Sequence, residues 1–139
     1  MRKPKVLLVE DSEDLIEIYQ FHLGKEVDLT ARSNPEDALE LYKCSPTFDV
    51  VISDQVMPKM TGEEFLKAVR SINPKQAMAL VTGSVNPDEL NVPEGTKVMS
   101  KPMSMKVLVR LCLQSVEPVG PRVRQALTVA SEAFSTSVD

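Results

Sequence analysis

Five short runs rich in Val, Leu and Ile recur along the 139-residue chain, separated by stretches in which apolar residues return at helical spacing. The runs span residues 5–9, 27–31, 49–53, 78–82 and 97–100. A strand with one face in water alternates apolar and polar residues, whereas near-continuous apolar runs belong to strands buried on both sides. Both sides of a sheet are covered when helices cross over between parallel strands. The pattern therefore predicts an α/β domain with a doubly wound, five-stranded parallel sheet.

The intervening stretches carry helix signals. Leu15, Ile18, Tyr19 and His22 mark a first helical face, and Asn34-Pro35 caps and starts a second helix carrying Ala38, Leu39 and Leu41. Thr61-Gly62-Glu63-Glu64 has the spacing of a capping box ahead of Phe65, Leu66, Val69 and Ile72. Ser104 caps a last helix over residues 105–114, with Val107, Leu108 and Leu111 inward. Between the last two strands, Asn86 can start only a short helix, because Pro93 and Gly95 stop it. About five helices are expected. Residues 1–117 then form one domain. After Pro118-Val119-Gly120-Pro121, Val123, Leu127, Ala130 and Phe134 suggest an amphipathic helix in 118–139, as a homodimer seam or a connector to an output domain beyond residue 139. A frayed tail is the alternative.

Composition narrows the function classes. No apolar run approaches the roughly 20 residues that cross a bilayer, and Val6–Val9 gives out at Glu10-Asp11, too soon for a signal peptide. A soluble, cytoplasmic protein is expected. Cys44 and Cys112 read as reduced, buried thiols, and His22, the one histidine, as a helix residue without a chemical role. The seven methionines read as core and loop residues. A net charge of −4 offers no broad basic surface for nucleic acid.

In a doubly wound sheet the carboxyl ends of the strands share one edge, where ligands bind. That edge collects Glu10 and Asp11, Asp54, Thr82, and Lys101-Pro102. Three carboxylates in one crevice repel one another unless a cation lies among them, and Mg²⁺, a hard ion with oxygen ligands, suits the set.

These residues resemble the receiver domain of two-component response regulators. The resemblance rests on Glu10-Asp11 after Val6-Leu7-Leu8-Val9, on Asp49-Val50-Val51-Ile52-Ser53-Asp54-Gln55-Val56-Met57-Pro58 with Gly62 behind it, on Thr82 after Leu80-Val81, and on Lys101-Pro102. It covers about residues 4–117 and implies a flavodoxin-like sheet of order 2-1-3-4-5 with helices on both faces. It also implies that Asp54 accepts a phosphoryl group from a sensor histidine kinase or a histidine phosphotransfer protein. Asp11, Asp54 and the backbone carbonyl of Val56 would bind Mg²⁺, with Glu10 acting directly or through water. Lys101 and Thr82 would each hold a phosphoryl oxygen, and the Thr82 contact would draw the neighbouring loop inward. Lys101-Pro102 is expected to be cis.

Two departures bear on output. Val98 stands where receivers usually carry an aromatic residue three positions before the lysine, and Thr82 and Lys101 lie only 19 residues apart. A degenerate receiver that serves as a docking module is therefore one alternative. A second, an aspartyl-nucleophile phosphatase, needs an acid two positions after the nucleophile, where this chain has Val56.

Overall fold

All five apolar runs form strands of one sheet in the computed structural model, which describes residues 2–83, 89–102 and 104–115. The strands are β1 (Lys5–Val9), β2 (Asp28–Arg32), β3 (Val50–Asp54), β4 (Ala77–Thr82) and β5 (Lys97–Ser100). They are parallel and ordered β2-β1-β3-β4-β5, as expected. Strands β2 and β3 sit one residue later than the apolar pattern suggests, so Asp54 ends β3 rather than following it. Asp49 lies just ahead of β3, where its carboxylate accepts two hydrogen bonds from Arg2 (2.7 and 2.8 Å) and one from the Lys5 N–H (2.8 Å).

Four helices stand among the described residues: α1 (Glu13–Leu23), α2 (Pro35–Cys44), α3 (Gly62–Ile72) and α4 (Met105–Gln114). Their starts follow from local chemistry. The Asn34 side chain accepts from the Glu36 N–H at 2.8 Å, the Ser104 hydroxyl accepts from Lys106, and Thr61 and Glu64 form the expected capping box. The predicted short helix at Asn86 begins in residues 84–88, outside the described residues. Between Leu90 and β5 no α-helix forms, because Pro93 lacks an N–H and Gly95 turns the backbone left-handed at φ 85°. The 118–139 tail also lies outside the described residues.

Alternation along the strands divides the core into two layers. Val6, Leu8, Val50, Ile52, Ala79 and Val81 pack with Tyr19 and Leu23 of α1 and Leu108 and Cys112 of α4. On the other face, Leu7, Val9, Val51, Met78 and Leu80 pack with Ala38 and Tyr42 of α2 and Phe65, Leu66 and Val69 of α3. Each large aliphatic side chain buried in this way contributes about 1.5–3 kcal/mol of transfer free energy.

Several side chains depart from their expected positions. Helix α1 meets the sheet along Leu15, Tyr19 and Leu23, an i, i+4 row, and this turns Ile18 and His22 outward. In α4, Leu108 and Cys112 are buried while Val107 and Leu111 are half-buried. Cys44 is exposed, two positions past Tyr42 and therefore on the far side of α2.

Gly62, the first residue of α3, lies so close to β3 that a Cβ there would overlap the Asp54 carbonyl oxygen and come within 2.5 Å of Leu80 Cδ1. Gly62→Ala is expected to destabilise the fold by about 1–3 kcal/mol, as overpacking does, read as a lower urea midpoint at unchanged slope.

Candidate functional site

Strand parity brings the acids together. Val9 pairs with Ser53, so the next residues, Glu10 and Asp54, are neighbours at the carboxyl edge. Both follow the parity of Val6, Leu8, Val50 and Ile52, so both belong to the α1/α4 layer. Asp11 follows at the entrance to α1, where it is exposed, whereas Glu10 is 1% and Asp54 8% exposed. Carboxylate oxygens of Glu10, Asp11 and Asp54 all lie within 4.8 Å of one another.

Among the described residues, one cation offsets this charge. Lys101 directly follows β5 and precedes Pro102 across the expected cis bond, and its Nζ lies 2.9 Å from Asp54 Oδ1 and 3.9 Å from Glu10 Oε1. Its backbone N–H donates to the Thr82 carbonyl at 2.9 Å, so the ends of β4 and β5 hold it in place. Burial disfavours the Lys101 ammonium, but the hydrogen bond and charge of Asp54, then the charge of Glu10, outweigh that and raise its pKa. For Glu10, burial comes first, followed by the charge of Asp54 and a hydrogen bond to it. With Asp11 adding to these and Lys101 opposing, its pKa is pushed up to about 7.

Glu10 Oε2 is buried and has no hydrogen-bond partner among the described residues. A buried carboxylate oxygen left in that condition is costly, and it suits a hard cation held among oxygen ligands. The donor set therefore fits Mg²⁺. Thr82 ends β4 at the same edge and is 1% exposed. Val56 lies on the loop after β3 and is 71% exposed. Val98 is half-buried in β5. His22 is exposed, edge-on to Phe21, and apart from the acidic cluster. An open cavity lined by Arg2, Lys5 and Asp28 lies at the opposite end of the sheet and contains none of these residues.

Two residues that the strand-end pattern does not single out, Gln55 and Glu63, meet beside the cluster. The Gln55 amide donates to Glu63 Oε1 at 2.5 Å and accepts from the Glu63 N–H at 3.0 Å. Tyr19, in the sequence only one member of a helical face, also stands near the acids. Its burial, then the charge of nearby Glu10, raises its pKa, so α1 places a phenol beside the cluster. Its parity with Leu15 and Leu23 was the available signal.

The model of the response regulator receiver domain matches residues 6–112. The chain belongs to that family. It is 32% identical over 110 residues to the response regulator receiver protein CpdR of Brucella abortus, covering 76% of this chain and 90% of CpdR. It is also 25% identical over 130 residues to the response regulator protein PilR of Pseudomonas aeruginosa, covering 91% of this chain but only 29% of PilR. Among solved structures, the chemotaxis protein CheY4 of Vibrio cholerae superposes with a TM-score of 0.71 at 27% identity, over 83% of this receiver and all of CheY4. No helix among the described residues is long and apolar enough to cross a membrane.

The Glu10 shift has a definite sign. A folded-state pKa of about 7, against an ordinary 4.5, means that the folded receiver binds more protons than the unfolded chain between those values, so stability falls as pH rises through that window. In divalent-free buffer, urea unfolding is expected to show this receiver losing up to about 3 kcal/mol between about pH 4.5 and 7.5, with the Glu10→Gln variant markedly flatter.

Proposed function

We propose that this receiver is a phosphoacceptor in which Asp54 takes a phosphoryl group from a phosphohistidine on a sensor kinase or a histidine phosphotransfer protein. The observation that carries the reading is the grouping of Glu10, Asp11 and Asp54 within 4.8 Å, with the Lys101 ammonium 2.9 Å from Asp54. A domain that only docks has no need to keep such a cluster at one strand edge. An aspartyl phosphatase needs an acid at position 56, where the side chain is that of Val56.

An Asp54 carboxylate oxygen attacks phosphorus. The O–P bond forms as the P–N bond to the partner's imidazole breaks, and that electron pair remains on the imidazole nitrogen. Asp11, Asp54 and the Val56 carbonyl are assigned to hold Mg²⁺, with Glu10 beside them. When bound, Mg²⁺ supplies positive charge to the phosphoryl oxygens. Lys101 contributes a second positive charge from the β5 side. Thr82 offers its hydroxyl to the new group, and a contact made only after transfer shifts the population between conformations. The receiver domain is assigned to residues 1–117. Residues 118–139 are assigned as a linker or tail, which would join an output domain or pair with a second copy.

Incubation with acetyl phosphate and Mg²⁺, followed by intact-mass measurement, tests this reading. The wild type is expected to gain one phosphoryl group, and Asp54→Asn or omission of Mg²⁺ to abolish the gain. Lys101→Ala is expected to slow it by about 10²-fold, the usual loss when one charge-stabilising group is removed. A wild type that gains nothing and does not bind Mg²⁺ would leave a docking module.

A further inference from the structure

We infer that Glu63 is a positioning residue for phosphoryl acceptance, acting through Gln55. Glu63 is the second residue of α3, and its neighbour Glu64, not Glu63 itself, closes the helix cap. Its carboxylate reaches two other partners. Oε1 accepts from Gln55 Nε2 at 2.5 Å, and Oε2 accepts from the backbone N–H of Asn91 at 2.8 Å. Its own N–H donates to Gln55 Oε1 at 3.0 Å, so the Gln55 amide is matched at both ends.

Gln55 directly follows Asp54. Its backbone N–H donates to the Val81 carbonyl at 3.1 Å, and its carbonyl accepts from the Gly62 N–H at 2.9 Å. Both backbone groups and both amide atoms of this one residue are therefore fixed. The chain leaving Asp54 toward Val56 thus starts from an immobilised point. Asn91 lies in the connection between Thr82 and Lys101, whose Leu90 and Val92 pack on the α2/α3 core with Met57 and Met60 of the acceptor loop. One carboxylate thus joins the loop after Asp54 to the segment that leads to Lys101. Among the described residues, no other hydrogen bond of the Gln55 side chain ties that loop to the connection. The inference rests on the phosphoacceptor reading and adds to it a residue outside the acidic cluster.

The donor pattern provides a test by exchange. In Glu63→Gln, the new amide cannot accept from both Gln55 and Asn91, and either way it turns an N–H donor meets another donor. In Gln55→Glu, two carboxylates face each other. In the double variant Q55E/E63Q the pattern is complete again. The amide now at position 63 donates to the carboxylate now at position 55, and its oxygen accepts from Asn91. That carboxylate in turn accepts from the backbone N–H of position 63. Phosphoryl uptake from acetyl phosphate, Mg²⁺ affinity by titration calorimetry and melting temperature are measured for all four proteins.

Each single variant is expected to take up phosphoryl about tenfold more slowly and to bind Mg²⁺ about tenfold more weakly, with the double variant recovering to within about threefold of wild type. Three results overturn the inference. Single variants that lose only melting temperature show a structural role for Glu63. A double variant no better than its worse parent removes the pairing. A wild type that accepts no phosphoryl group removes the phosphoacceptor reading itself, an outcome separate from the other two.

Discussion

The register between β1 and β3 is the constraint from which the site follows. These strands are central, buried on both faces, and paired so that Val6 lies beside Val50 and Val9 beside Ser53. A slip of one residue would reverse the parity of every side chain along a strand and expose a full apolar layer to the wrong neighbours. The two hydrophobic layers therefore enforce the register, and the register sets Glu10 beside Asp54. The charge cluster costs stability, and the apolar ladder beneath it supplies what that requires.

The electrostatics of the edge follow from that placement. Among the described residues, two buried carboxylates and one exposed one face a single ammonium, so the set is under-neutralised. Burial raises the cost of that imbalance, and it emerges as the elevated pKa of Glu10 and the unpartnered Oε2 of the same residue. Such a site gains more from an incoming cation than a surface cluster of the same charge would, because screening by water is weaker.

Much of this was legible in the sequence because it is written in short-range patterns. Strand positions followed from the apolar runs, helix starts from Asn34, Thr61 and Ser104, and the acid–hydroxyl–lysine set from strand ends. The likeness to receivers supplied the strand order that periodicity alone left open. Other features depend on geometry the chain does not declare locally. A shift of one position around α1 decided that Leu23 rather than His22 faces the sheet, and the same kind of consideration exposed Cys44. The Glu63 contacts join residues 8 and 28 positions apart through a turn whose path only the folded chain defines. Glu63 and Glu64 look interchangeable as adjacent acids in a helix's first turn, yet one caps its own helix and the other ties two loops together.

Thr82 carries the parity of Met78 and Leu80 and so belongs to the α2/α3 layer, whereas Glu10 and Asp54 belong to the α1/α4 layer. Along the length of the sheet these layers are kept apart by the thickness of the strands. At the carboxyl edge that partition ends, and groups from both sides come to one rim. A small substituent seated there can be touched from both layers at once, so the rim joins one helical surface of the molecule to the other.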